Sequence, residues 1–126
     1  MRGLVRAVAG GAAVFGVLSA ALAHSHAAGA LAIGKCAAYG YAYDYPSVKA
    51  AEAAARAKCS DGTCNQIVAT QKGCVAFAVD GRKPCGPNGY ANGSRLGSAQ
   101  NTALKHCYKY GGKDCVIRAW ICDGKG

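Results

Sequence analysis

The chain has 126 residues and a formal charge of +9, with eight cysteines, three histidines and a single glutamate. That length suits one domain, and so few histidines and glutamates leave little material for paired-carboxylate or multi-histidine metal chemistry. The positive excess suits anionic surroundings such as envelope polymers or nucleic acid, although the basic residues are scattered and a hydrated surface accounts for most of them.

In chain order, the opening "MRGLVRAVAGGAAVFGVLSAALA" sets Arg2 and Arg6 ahead of an uncharged run over residues 7–22, and Ala21-Leu22-Ala23 offers a signal-peptidase pattern. Residues 1–23 are predicted to be a signal peptide, with the cut after Ala23 or as late as Ala27. The glycine-broken run is short for a permanent membrane span. Export puts the cysteines in an oxidising compartment, where an even number in a small domain favours four disulfides over metal thiolates. A cut after Ala23 would also begin the mature chain His24-Ser25-His26. Its free amine, two amide nitrogens and the His26 imidazole could then make a square-planar set for Cu(II) or Ni(II). A cut after Ala27 deletes both His24 and His26.

Residues 29–122 are predicted to be one domain of two repeats, 29–72 and 73–122. In the first, residues 30–33 predict a strand and Gly34-Lys35 a turn leading to Cys36. The stretch "AAYGYAYDYPS" then places Tyr39, Tyr41, Tyr43 and Tyr45 at every second position. In an unbroken strand these share one face. Only Tyr41 has a counterpart, Tyr90, so the ladder is expected to be mainly a wall packed against the alanine helices. Tyr39, Tyr43 and Tyr45 remain candidate ligand contacts. Ser47 is placed to cap an alanine-dominated helix over residues 48–58, Gly62 lies just beyond it, and Ile67-Val68 marks a further strand. The second repeat follows the same plan. Residues 75–79 form a strand, Asp80-Gly81 a turn, and Tyr90-Ala91 lies five residues after Cys85. A helix runs from near Ser94 or Ser98 to about Tyr108, Gly111-Gly112 stops it, and Val116-Ile117 begins the last strand. The predicted fold is α+β: an antiparallel sheet with two helices, built from two strand–strand–helix–strand repeats and stabilised by disulfides.

The segments "GALAI", "YGYAYDYPS", "KAAEAAARAKC", "CNQIV", "GCVAFAV" and "CVIRAWIC" together resemble the bacterial domain of unknown function 4189 family over about residues 29–122. The resemblance implies a secreted, cysteine-rich, internally repeated domain, and it assigns no activity. Cys59, Cys64, Cys74, Cys107, Cys115 and Cys122 match the family's six-cysteine plan, while Cys36 and Cys85 stand at equivalent positions as an added pair. Of 105 possible pairings, this favours Cys36–Cys85. Cys59–Cys64 and Cys107–Cys115 would be local bonds joining each helix end to the next strand, which leaves Cys74–Cys122.

No catalytic residue is assigned. His106 has no nucleophile-elbow serine to serve, and its place at a helix end suits a cation beside the helix dipole. Glu52 with Asp44 would make a glycosidase pair only if both faced one cleft, and an alanine helix is expected to turn Glu52 to water. No phosphate-binding loop or zinc spacing is present, and no cofactor is implied. A second candidate surface is "KHCYKYGGKD", where Lys105, Tyr108, Lys109 and Tyr110 combine charge with rings. The expected function is a non-enzymatic binding module at the cell envelope or outside the cell, its partner an anionic envelope polymer or a secreted protein rather than nucleic acid. The alternatives are an enzyme or enzyme inhibitor acting on envelope polymers, or N-terminal copper or nickel capture.

Overall fold

The computed structural model describes residues 28–123; the predicted signal peptide and His24 and His26 lie outside them. The element order is β1 (Ala28–Ile33), β2 (Tyr39–Tyr45), α1 (Val48–Ala57), β3 (Gln66–Gln71), β4 (Cys74–Asp80), β5 (Asn88–Gly93), α2 (Leu96–Lys109) and β6 (Cys115–Cys122). The strand–strand–helix–strand plan thus occurs twice. The strands form two antiparallel three-stranded sheets, β2-β1-β3 and β5-β4-β6.

The reason for two sheets lies in β1 and β4, which are buried along their whole length. A strand buried on both faces reads as a continuous apolar run, and each of these runs sorts its side chains by size. In β1, Ala28, Ala30 and Ala32 face α1, packing with Ala51 and Ala55. Leu31 and Ile33 face the other way, onto Val75, Phe77 and Val79 of β4. In β4 the small Cys74, Ala76 and Ala78 meet Ala99, Ala103 and Cys107 of α2. Small residues therefore lie between helix and sheet, and large ones between the sheets. The layers run α1, first sheet, second sheet, α2, with β1 over β4, β2 over β6 and β3 over β5. Exchanging the repeats maps the β2–β6 edge onto the β5–β3 edge, so the sandwich has two topologically equivalent edges.

Two glycines at equivalent positions let the helices come so close. A Cβ on Gly40 would meet the Ala55 carbonyl and the Cys59 amide, and one on Gly89 would meet the Ala103 carbonyl and the Cys107 amide. Ser47 caps α1, its Oγ accepting the Ala50 N–H at 3.1 Å. The second helix starts differently from either expected serine. Arg95 is its N-cap and gives no side-chain cap, while the Ser98 hydroxyl donates back to the Arg95 carbonyl at 2.9 Å. The end of α2 is closed by Gly111 at φ +101° and by the Gly112 N–H donating to the Cys107 carbonyl.

Four disulfides cross-link the domain. Cys59–Cys64 and Cys107–Cys115 join each helix end to the following strand, Cys74–Cys122 ties β4 to β6, and Cys36–Cys85 joins the β1–β2 turn to the β4–β5 turn across the two repeats. The second of those turns is organised by buried Asp80, whose oxygens accept the Arg82 N–H at 2.9 Å and the Lys113 N–H at 3.1 Å. Among the described residues, no helix is long and apolar enough to cross a membrane.

Candidate ligand-binding cleft

Strand β2 needs small residues on one face and has tyrosines on the other. Gly40 and Ala42 lie against α1. Tyr39 and Tyr41, opposite Ile33 and Leu31 of β1, point away from the helix toward the second sheet. This overturns the expectation that the ladder packs on the alanine helices. The cause is steric: at positions 40 and 42 the close helix leaves room for glycine and alanine only. Tyr39 packs on the inter-sheet core, whereas Tyr41 and Tyr43 are 45% and 56% exposed. Nor do all four rings share a face. Ala30 pairs with Ala42 but Ala28 pairs with Tyr45, so β2 carries an extra residue there, and Asp44 sits at φ +64°. Such a bulge reverses the side-chain alternation and turns Tyr45 onto the α1 side, where it packs with the helix-facing cluster.

Strand β6 faces β2 across the edge of the sandwich and has its own bulge. Ala119 pairs with Phe77 and Ile117 with Ala78, leaving Arg118 as the inserted residue. Its Nε donates to the Ala37 carbonyl at 3.2 Å, and its guanidinium carbon lies 5.1 Å from the centre of the Tyr39 ring, within cation–π range. Trp120, the only tryptophan, is 51% exposed. Tyr39, Tyr41, Tyr43 and Arg118 line a cleft of about 470 Å³ floored by Ile121, and Trp120, which pairs with the helix-facing Ala76, stands at its outer rim. Within it Tyr41 and Tyr43 are parallel to within 4° at 6.3 Å, and Tyr39 stands 6.5 Å from Tyr41. Lys58 Nζ, at the end of α1, is 5.7 Å from the Tyr41 ring centre. The arrangement offers aromatic faces in a row with cationic groups beside them.

The equivalent edge, β5 over β3, is closed. The Tyr90 hydroxyl bonds Gln66 Oε1 at 3.1 Å and the Asn92 side-chain amide donates to the Ala69 carbonyl at 3.1 Å. By strand register Tyr90 corresponds to Tyr41, Asn92 to Tyr43 and Ala69 to Trp120. One edge thus has polar links where the other has rings, and Arg118 has no counterpart.

The other candidate residues lie elsewhere. Lys105, Tyr108, Lys109 and Tyr110 are exposed on and just after α2. Tyr110 joins His106, Tyr90 and Pro87 around a more polar hollow beside β5, away from the cleft. His106 Nδ1 is 3.3 Å from the Tyr90 carbonyl; that oxygen only accepts, so this nitrogen carries the proton when the bond forms. Glu52 is on α1 and Asp44 on the exposed β2 bulge. Cys59, Asp61 and Cys64 bring their ligand atoms within 4.8 Å of one another, but both sulfurs are in a disulfide. Asp61 instead takes the Thr63 hydroxyl and amide, and these hold its pKa below the ordinary value. Arg118 and Trp120 were missed at the level of sequence. The signal for them is the stretch "VIRAWI", where an arginine interrupts the alternation two residues before the tryptophan.

The fold and cleft define a disulfide-stabilised α+β module of duplicated design with one open aromatic edge. Residues 28–122 match the family model described as domain of unknown function (DUF4189), and the chain belongs to that family. It is similar to the NMR structure of Rv1813c from Mycobacterium tuberculosis, with TM-score 0.57 and 26% identity over 78% of this chain and 76% of that one. No curated protein matches the chain. Four disulfides suit an oxidising environment.

Proposed function

We propose that the protein is an exported, non-enzymatic binding module of the cell envelope or the extracellular space, and that the cleft between β2 and β6 is its ligand site. One observation carries this reading. Of two equivalent edges, one is sealed by side-chain hydrogen bonds, while the other keeps half-exposed Tyr41 and Tyr43 beside Arg118, with Trp120 at the rim. Exposed rings beside cations suit a ligand with flat or ring faces and negative charge, such as a strand of an anionic envelope glycan. The rings would supply stacking and the cations attraction. Of the candidate residues this site keeps Tyr39 and Tyr43, adds Tyr41, Arg118 and the rim residue Trp120, leaves Tyr45 with the core, and does not include Lys105, Tyr108, Lys109 or Tyr110.

The lone tryptophan makes the test direct. Titration of the oxidised domain with short anionic envelope-glycan fragments should change Trp120 fluorescence saturably. Tyr43→Ala should weaken binding about tenfold, as expected for loss of roughly 1 kcal/mol of stacking plus ring burial. Tyr110→Ala should leave it unchanged. Equal loss from Tyr110→Ala, or no saturable change, would sink the assignment, and turnover of the glycan would replace binding with catalysis.

A further inference from the structure

Asp123, the residue after Cys122, is only 2% exposed, and its Oδ2 has no hydrogen-bond partner among the described residues. The other oxygen accepts the Asp44 N–H at 3.3 Å. Burial raises its pKa, and the nearby Asp44 charge adds to this; only the Asp44 and Lys72 amides oppose it. A buried carboxylate with an unused oxygen is costly unless a charge or donor meets it.

Its position indicates which charge. The Asp123 N–H donates to the Gly73 carbonyl at 2.7 Å, which brings the side chain over the start of β1. A Cβ on Gly29 would lie 3.4 Å from the Asp123 Cβ. Ala28 pairs with Tyr45 on one side and Gln71 on the other. The amide bonded to the carboxylate is that of Asp44, the residue before Tyr45. The carboxylate is therefore held over the first residues of β1 from the β2 side.

We infer that the leader is removed after Ala27, and that Asp123 is the built receptor for the α-ammonium group this creates on Ala28. Ser25 and Ala27 supply the small residues that such a cut requires. Hydrolysis of the Ala27–Ala28 peptide bond turns the Ala28 amide nitrogen into a cation at the end of the strand over which the carboxylate lies, and releases the leader with a new carboxyl end. The uncompensated buried charge becomes an ion pair. Processing would then be coupled to locking the central strand of the first sheet. His24 and His26 would leave with the leader, which ends the copper and nickel reading. The inference rests on export as proposed above.

Two chains, one beginning at His24 and one at Ala28, test it without any substitution. NMR titration should find the Asp123 carboxyl above its ordinary pKa in the longer chain and below it in the shorter. The sign of its stability contribution should invert accordingly. In the longer chain stability falls as pH rises through the raised value; in the shorter it falls as pH drops through the lowered one. Asp123→Asn should lower the Tm of the Ala28 chain by several degrees and leave that of the His24 chain unchanged or higher. Titration in the same direction in both chains would overturn the inference. N-terminal sequencing of the secreted protein should read Ala28. A start at His24 would overturn this inference alone, whereas an uncut chain would overturn export with it.

Discussion

At the residue scale, the same side-chain type does different work according to which side of a strand it falls on. Tyr43 and Tyr45 are two positions apart, yet one bulge sends Tyr43 to the cleft and Tyr45 to the helix-facing core. Tyr45→Ala should therefore cost stability, less than the about 3–5 kcal/mol of a fully buried aromatic, and leave ligand affinity intact. Denaturant melts and Trp120 fluorescence read on both variants would separate the roles. Gly40 and Gly89 make the complementary point. Alanine at either would push a methyl into the helix backbone, with an expected loss of roughly 1–3 kcal/mol or more. Chemical denaturation should show both variants weakened to similar extents, because the two repeats use the same contact. The glycines are present in "YGY" and "NGY" for anyone reading the sequence, but their reason, a helix carbonyl at the surface of the strand, appears only when the helix is in place.

The elements were legible where local physics decides them. Helix α1 starts at its serine cap, and Gly111-Gly112 ends α2, because capping and backbone freedom are properties of a few adjacent residues. The α+β class and the doubled plan were legible for the same reason, written twice in one chain. The direction in which β2 faces was not, since alternation identifies two faces without saying what covers either. The two bulges were hidden too: Asp44 and Arg118 are single extra residues that only strand pairing exposes. The end of β4 yields a pH prediction. The Lys113 and Arg82 amides hold Asp80 below its ordinary pKa. Because the folded value is lowered, this support is complete above the unfolded-state pKa and is lost as pH falls through the folded one. Hydrogen exchange should show the β4–β5 and α2–β6 turns loosening first on acidification, and Asp80→Ala should loosen them already at neutral pH.

On the scale of the whole molecule, the division into two sheets follows from having two central strands, β1 and β4, each apolar on both faces. An expectation of a single sheet places all the strands in one layer and cannot bury Leu31, Phe77 and Ile121 together as the structure does. The two halves meet through this layer and through Cys36–Cys85, which links residues 49 apart in sequence. Replacing both cysteines by serine should cost about 2–4 kcal/mol, seen as a lower Tm. Replacing Cys59 and Cys64, which close a much shorter loop, should cost less. The order of these bonds along the chain carries a further consequence for biogenesis. The loops closed by Cys36–Cys85 and Cys74–Cys122 interlock in sequence, each beginning or ending inside the other. A chain threaded into an oxidising compartment with its amino end leading presents Cys36 and Cys59 before either native partner has arrived. Oxidation in order of emergence would join those two wrongly. The mature connectivity therefore demands either that Cys36 wait as a thiol until Cys85 is delivered, or that an isomerase exchange the first bond for the native ones.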